Sequence, residues 1–105
     1  MSILAPRFQA HCARCGCTVR VPDTLPLEAF QQAVALRRSG NTIHAIAALV
    51  AAGAMDRGEA KSLVFHMTTT PGRCHRCRKS LVAGSELCLT CRCVNLDAVE
   101  RQRNG

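Results

Sequence analysis

Between Asp23 and Met67 apolar residues recur at helical spacing, and end signals divide them into three runs. The first sets Leu27, Phe30, Ala33, Val34 and Arg37 on overlapping faces. It is expected to begin at Asp23 or Thr24, with Pro26 tolerated in its first turn, and to end on Gly40, which suits a left-handed cap. Asn41 or Thr42 begins a second helix carrying Ile43, Ile46, Leu49 and Val50 and ending near Gly53. Asp56 caps a third, and Glu59, three residues on, completes the pattern of a capping box. Its buried stripe is Ala60, Leu63, Val64 and Met67, and Pro71 closes the segment. Before the helices, Thr18-Val19-Arg20-Val21 reads as a strand stopped by Pro22.

The second helix departs from the amphipathic rule. From Ala45 to Ala54 no residue is polar, so the helix is apolar around its circumference. Such a helix is normally buried on all sides. In so small a chain, that burial needs the two other helices, a metal module or a second subunit. The alternative is an Ala-rich face lightly exposed to water. The run is far short of the roughly 20 residues that a membrane-spanning helix needs, so no membrane partner is expected.

This stretch carries a resemblance. Gly40-Asn41-Thr42-Ile43-His44-Ala45-Ile46, then Gly53-Ala54-Met55-Asp56-Arg57-Gly58-Glu59-Ala60-Lys61-Ser62-Leu63-Val64, resembles the helical hairpin of the ribosomal-stalk C-terminal domain. That family has an Ile-x-x-Ile-Lys helix, a Gly-containing turn and a Glu-Ala-Lys-x-x-Val helix, matched here by Ile43, Ile46 and Glu59-Ala60-Lys61. Family members engage translation GTPases through basic residues of the hairpin. Ala47 and Val50 stand at two of those positions, and only Lys61 keeps its charge. The resemblance therefore implies a helix–turn–helix unit rather than a factor-binding site.

Composition changes the picture more than periodicity does. The chain has 105 residues with no Trp, no Tyr and three Phe, so a core must rest on Ala, Leu, Val and Ile. It also has eight cysteines. The Met1 start lacks the basic and apolar pattern of a secretory signal, so reduced, metal-binding thiols in the cytoplasm are expected over a disulfide framework.

Four of the cysteines, Cys74, Cys77, Cys88 and Cys91, read C-x2-C-x10-C-x2-C. Two tight turns of this kind, each offering two thiolates, close around one tetrahedral zinc as a zinc ribbon. Lys79, Ser80, Leu81 and Val82 would form the strand leaving the first turn, with Gly84-Ser85 as the reversal. An iron–sulfur cluster is the competing use of four thiolates.

Cys12 and Cys15 form another such pair, followed by Gly16, and a second site needs two more ligands. Candidates are Cys17, Cys93, His11, His66 and His75. His66, at the end of the third helix, can either swing onto this metal or serve as an ordinary helix-end residue favoured by the dipole. A partner swap is also open, with Cys12 and Cys15 joining Cys74 and Cys77 while Cys88, Cys91 and Cys93 serve a second site. The pattern Cys12-x2-Cys15-x-Cys17 loosely echoes Cys88-x2-Cys91-x-Cys93.

The net charge of +7 needs correcting for metal. Zinc held by four thiolates carries about −2, so one such site lowers the total to roughly +5 and two to roughly +3. Positive charge sits on the two cysteine-rich ends, on Arg7, Arg14 and Arg20 at the first and on Arg73, Arg76, Arg78, Lys79 and Arg92 at the second.

No Gly-rich phosphate loop, HExxH, nucleophile elbow or paired carboxylates occur, and four thiolates close a zinc shell, so no enzyme is expected. The expected fold is a small α+β zinc-binding protein. A three-helix central segment, a hairpin plus a leading helix (23–70), is flanked by an N-terminal zinc knuckle (1–22) and a C-terminal zinc ribbon (71–96), with a polar tail (97–105). The expected function is a zinc-binding adaptor that meets a protein partner, or a second copy in a homo-oligomer, through the apolar hairpin. The alternative is a nucleic-acid-binding module using the five basic residues.

Overall fold

A computed structural model describes residues 8–52, 55–81 and 87–96. Gly53, the strand residue Val82, the Gly84-Ser85 reversal and the tail lie outside the described residues, and the second helix ends at Ala51, near its expected end. The elements are β1 (Phe8–Cys12), β2 (Cys17–Val21), α1 (Leu27–Arg38), α2 (Thr42–Ala51) and α3 (Arg57–Phe65), giving a small α+β fold. β1 and β2 pair antiparallel, with Cys12 opposite Cys17 and Phe8 opposite Val21.

The first helix starts later than its apolar pattern suggests. Pro26 is the N-cap, and the first helical hydrogen bond runs from Phe30 N–H to the Pro26 carbonyl at 3.1 Å. A residue preceding proline is pushed out of helical geometry, so 23–25 cannot be the first turn. They instead form a turn in which Leu25 N–H returns to the Pro22 carbonyl at 3.2 Å, with Leu25 fully buried.

At the other end, Gly40 has φ +90°, Gly40 N–H bonds the Arg37 carbonyl and Asn41 N–H bonds the Leu36 carbonyl. This pairing satisfies two end carbonyls as a Schellman motif. α3 opens with the expected capping box: Asp56 Oδ1 accepts from Glu59 N–H at 2.8 Å, and Asp56 N–H donates to Glu59 Oε1 at 3.2 Å.

α2 is not buried all round. Only Ala45, Ile46 and Leu49 face the core, whereas Ile43 is 74% and Val50 38% exposed. α1 and α3 each cover part of it, and three short helices cannot wrap a fourth side.

α3 packs against β2 as well as α2, so it joins the hairpin to the helices. The core is built from Phe30, Leu25, Leu49, Leu63, Met67, Leu96, Val19 and Val21, all essentially fully buried. Leu96 belongs to the returning C-terminal segment. Its N–H donates to the His66 carbonyl at 2.7 Å and its carbonyl accepts from Thr68 N–H at 3.1 Å. That short parallel bridge lays residues 93–96 beside the end of α3. Arg38 adds a clamp from α1, donating to the Thr68 carbonyl and to Thr68 Oγ1.

The C-terminal cysteine segment has isolated bridges, Arg73 to Ser80 and Leu87 to Val94, rather than regular strands among the described residues. Over its described residues, 79–81, the expected strand reduces to a single bridge, because the chain doubles back directly around the cysteine turn. Cys74 N–H bonds the Lys79 carbonyl and Leu81 N–H bonds the Gly72 carbonyl.

Candidate metal centres

Three turns in this protein have one geometry. In each, the residue after the second cysteine takes a left-handed conformation: Gly16 at φ 75°, Arg78 at 68° and Arg92 at 65°. In each, the N–H of that residue returns to the carbonyl of the first cysteine: Gly16 to Cys12 at 2.7 Å, Arg78 to Cys74 at 3.1 Å, Arg92 to Cys88 at 2.8 Å. In each, the first cysteine pairs with the residue five further on: Cys12 with Cys17, Cys74 with Lys79, Cys88 with Cys93. Such a turn aims both sulfurs at one point and leaves backbone N–H groups near them. Arg76 N–H and Cys77 N–H lie 3.4 and 3.5 Å from Cys74 Sγ.

The second and third turns face one another. Cys74, Cys77, Cys88 and Cys91 present four sulfurs within 4.8 Å of each other and could hold a metal ion. The sulfurs of Cys77 and Cys88 are 3.5 Å apart, and those of Cys74 and Cys91 3.6 Å. These separations are far longer than the roughly 2.05 Å of a disulfide. They approach the edge of about 3.8 Å that a tetrahedron with metal–sulfur bonds of about 2.3 Å requires. All eight cysteines are free thiols.

The first turn finds its remaining ligands far along the chain. Cys12, Cys15, His66 and Cys93 also converge within 4.8 Å, with Cys12 Sγ 3.7 Å from Cys93 Sγ. Each arrives for a stated reason. The hairpin supplies Cys12 and Cys15. His66 is the C-cap of α3, and its Nδ1 lies 2.7 Å from the Ser62 carbonyl one turn earlier. A carbonyl only accepts, so Nδ1 carries the proton and Nε2 keeps its lone pair for a metal. Cys93 is brought by the Leu96 bridge. The swapped pairing of Cys12 and Cys15 with Cys74 and Cys77 is not the one observed.

The two clusters share supports. Asn95, fully buried, accepts from His75 N–H at 2.8 Å and points its amide nitrogen at Cys74 Sγ (3.4 Å) and at the Cys93 carbonyl (3.1 Å). His75 Nε2 lies 3.0 Å from the Val94 carbonyl and 3.2 Å from Cys93 Sγ, so its proton sits between a carbonyl and a thiol of the other cluster. Val94 N–H approaches Cys12 Sγ at 3.5 Å. Cys91 and Cys93 belong to different clusters yet are separated only by Arg92.

The thiols titrate as crowded groups do. Burial opposes ionisation of Cys12, but N–H groups of Val94 and Cys15 together with His66 bring it down to about 6. Burial likewise opposes Cys74, and the N–H groups of Cys77 and Arg76 with the Asn95 amide bring it to about 6. Burial and hydrogen bonding to neighbouring thiols push Cys91 up to about 12, and burial with the Cys12 thiol beside it pushes Cys93 up. Each added negative charge thus resists the next, a repulsion that a divalent cation would reverse. Burial, with His66 and Arg37 nearby, lowers His75 to about 4 and keeps the imidazole neutral.

Of the other expected residues, His11 is exposed on β1 and joins neither cluster. His75 supports rather than joins the N-terminal one. Cys17 lies just outside it, its sulfur 3.9 Å from His66 Nε2. Arg73, Arg76, Arg78, Lys79 and Arg92 are all exposed around the C-terminal cluster. Asn95 was missed from sequence, where a lone Asn near cysteines gives no signal.

No family model matches this chain, and neither curated proteins nor solved structures include one similar to it. Among the described residues no helix is long and apolar enough to cross a membrane.

Proposed function

We propose that this protein is a non-catalytic adaptor, held in shape by two zinc ions, that meets a protein partner or a second copy through α2. Zinc suits the donor sets, four sulfurs in one cluster and three sulfurs with one imidazole in the other, the ligand atoms of each lying within 4.8 Å of one another. With four protein ligands at each metal no position is kept open for substrate, which supports a structural role. The second cluster would carry about −2 and the first, with its imidazole, about −1. The loaded chain then has a charge of about +4 rather than the +3 that two all-thiolate sites would give.

The observation that carries the adaptor reading is the outer face of α2. Ile43, Ala47, Val50 and Ala51 follow helical spacing, and all four are exposed. A shallow depression beside them is lined by Ile46, Ala47, Val50, Ala51 and Arg57. An apolar stripe on so small a domain is a docking feature. The test is light scattering of the zinc-loaded chain from 50 to 500 mM salt. Self-association that resists salt, and that Ile43→Asp or Val50→Asp abolishes without loss of zinc, is expected. A strictly monomeric chain would remove the second copy as the partner.

A second reading rests on Arg78 and Arg92. A left-handed backbone costs a residue with a side chain roughly 1 kcal/mol or more, and glycine fills the same position in the first turn. Arginine there, with Arg73, Arg76 and Lys79 nearby, favours phosphate contact. The chain has no Trp or Tyr, and the half-exposed Phe65 ring already carries the Arg37 guanidinium at 5.4 Å, so duplex backbone is the fitting target. Duplex binding that weakens steeply between about 50 and 200 mM salt would support this reading over the first.

A further inference from the structure

The N-terminal cluster has more donors than a tetrahedral metal can use. Cys12, Cys15, His66 and Cys93 already make four. Cys17 is directly opposite Cys12 in the hairpin register, so the two side chains leave the same face of the sheet. Its sulfur is 3.9 Å from His66 Nε2, the atom that would bind the metal. The fifth donor therefore touches the ligand atom it would replace.

Two further features fit this arrangement. Ser62 holds both competitors: its carbonyl fixes His66 Nδ1 at 2.7 Å, and its hydroxyl lies 3.5 Å from Cys17 Sγ and 3.3 Å from the Thr18 carbonyl. The position equivalent to Cys17 in the third turn is Cys93, five residues after Cys88. Cys93 sends its sulfur to a cluster other than that of its own turn. A cysteine at this place is thus within reach of a metal site, for Cys93 that of another turn and for Cys17 that of its own.

We infer that Cys17 is a reserve ligand for the N-terminal metal, replacing His66 and converting a site of three sulfurs and one nitrogen into one of four sulfurs. This rests on the reading of the cluster as a zinc site. In the exchange the Cys17 sulfur gives up its proton and forms the metal–sulfur bond. The metal–Nε2 bond breaks, and the freed imidazole or solvent takes the proton. No oxidant is involved. The end of α3 is then released from the metal without loss of the ion, and the site becomes one charge more negative.

The test uses the full zinc-loaded chain and three readouts: zinc per chain by elemental analysis, alkylation mapped by mass spectrometry, and the visible spectrum after cobalt substitution. The wild type should hold two zinc ions with Cys17 as the one readily alkylated thiol, and Cys17→Ser should also hold two. His66→Ala should keep two, protect Cys17 from alkylation, and shift the cobalt ligand-field bands to longer wavelength as sulfur replaces nitrogen. His66→Ala with Cys17→Ser should hold one. His66→Gln, closer in size, serves with the same readouts if His66→Ala does not fold.

Loss of one zinc from His66→Ala, with Cys17 still alkylated, would overturn the inference. So would a double variant that keeps two ions, or a Cys17→Ser chain that holds only one. A wild-type chain with fewer than two zinc ions would overturn the underlying metal-site reading, before any substitution is made.

Discussion

The two cysteine clusters use the same turn and differ in where their ligands come from. The C-terminal cluster draws all four from residues 74 to 91, as two turns facing each other. The N-terminal cluster takes two from a hairpin, one from the end of α3 and one from the returning C-terminal segment. The first needs only a short loop closed, whereas the second needs the helices packed before its ligands can meet. A local site can therefore organise its own segment, and a dispersed site reports that the rest has folded.

The largest expected effect tests this asymmetry. Cys88→Ser should lose both metals, because the third turn also carries Cys93 and the Leu96 bridge into the other cluster. Structural zinc supplies on the order of 10 kcal/mol of apparent folding energy to such modules, so residues 72–96 should lose dispersed amide signals. Cys15→Ser should lose one metal only and leave the C-terminal amides in place. Zinc per chain together with an amide correlation spectrum checks both. Equal loss in the two variants would erase the distinction between local and dispersed.

The same contrast explains what sequence could reveal. The spacing of Cys74, Cys77, Cys88 and Cys91 is itself the geometry of a local site, and it points to the group that the structure brings together. End signals were equally local: Asp56 with Glu59, and Gly40, act through bonds to residues within five positions. The N-terminal set was open because tertiary contacts decide it. Nothing about Cys93 or His66 in sequence tells that Leu96 pairs beside the end of α3. β1 was overlooked although Phe8, Ala10 and Cys12 alternate inward, since alanine and cysteine are weak strand signals. For α2 the sequence left full burial and an exposed Ala-rich face both open, and the exposed face is the one observed. Composition told how apolar the helix is, but coverage depends on how many neighbours a small fold can supply.

Phe30→Ala should sharpen the comparison from the helical side. Phe30 is fully buried in the core, and its truncation should cost about 3–5 kcal/mol. Denaturant unfolding followed by helix signal should show that loss, and chelator should strip the N-terminal metal first. The C-terminal cluster, none of whose ligands lies on a helix, should hold its metal with little change. Simultaneous release of both ions would mean that the local site depends on the helices.

Asn95→Leu addresses the link between the clusters. Its amide reaches a ligand of one and the backbone of a ligand of the other, and it is fully buried. Removing it leaves His75 N–H and the Cys93 carbonyl without that partner, for about 1–3 kcal/mol in stability. Supports of this kind typically change metal affinity by about 10- to 100-fold. Competition with a chromogenic chelator should show both ions released more readily. An effect confined to the C-terminal ion would reduce Asn95 to a partner of Cys74 alone.

The smallest effect separates the three turns from one another. Gly16→Ala meets no atom within 4 Å, so its cost comes from φ 75° alone and should be about 1 kcal/mol. Arg78→Gly relieves the same backbone at φ 68° but gives the unfolded chain more freedom, worth about 0.5–1 kcal/mol in the other direction. The two terms nearly cancel, so Arg78→Gly should change stability by less than about 0.5 kcal/mol, as should Arg92→Gly. Thermal unfolding of the zinc-loaded variants gives the comparison. A clear loss of stability on removing either arginine would mean that its side chain balances the negative charge of the metal site. Unchanged stability with weaker duplex binding would tie both side chains to phosphate recognition.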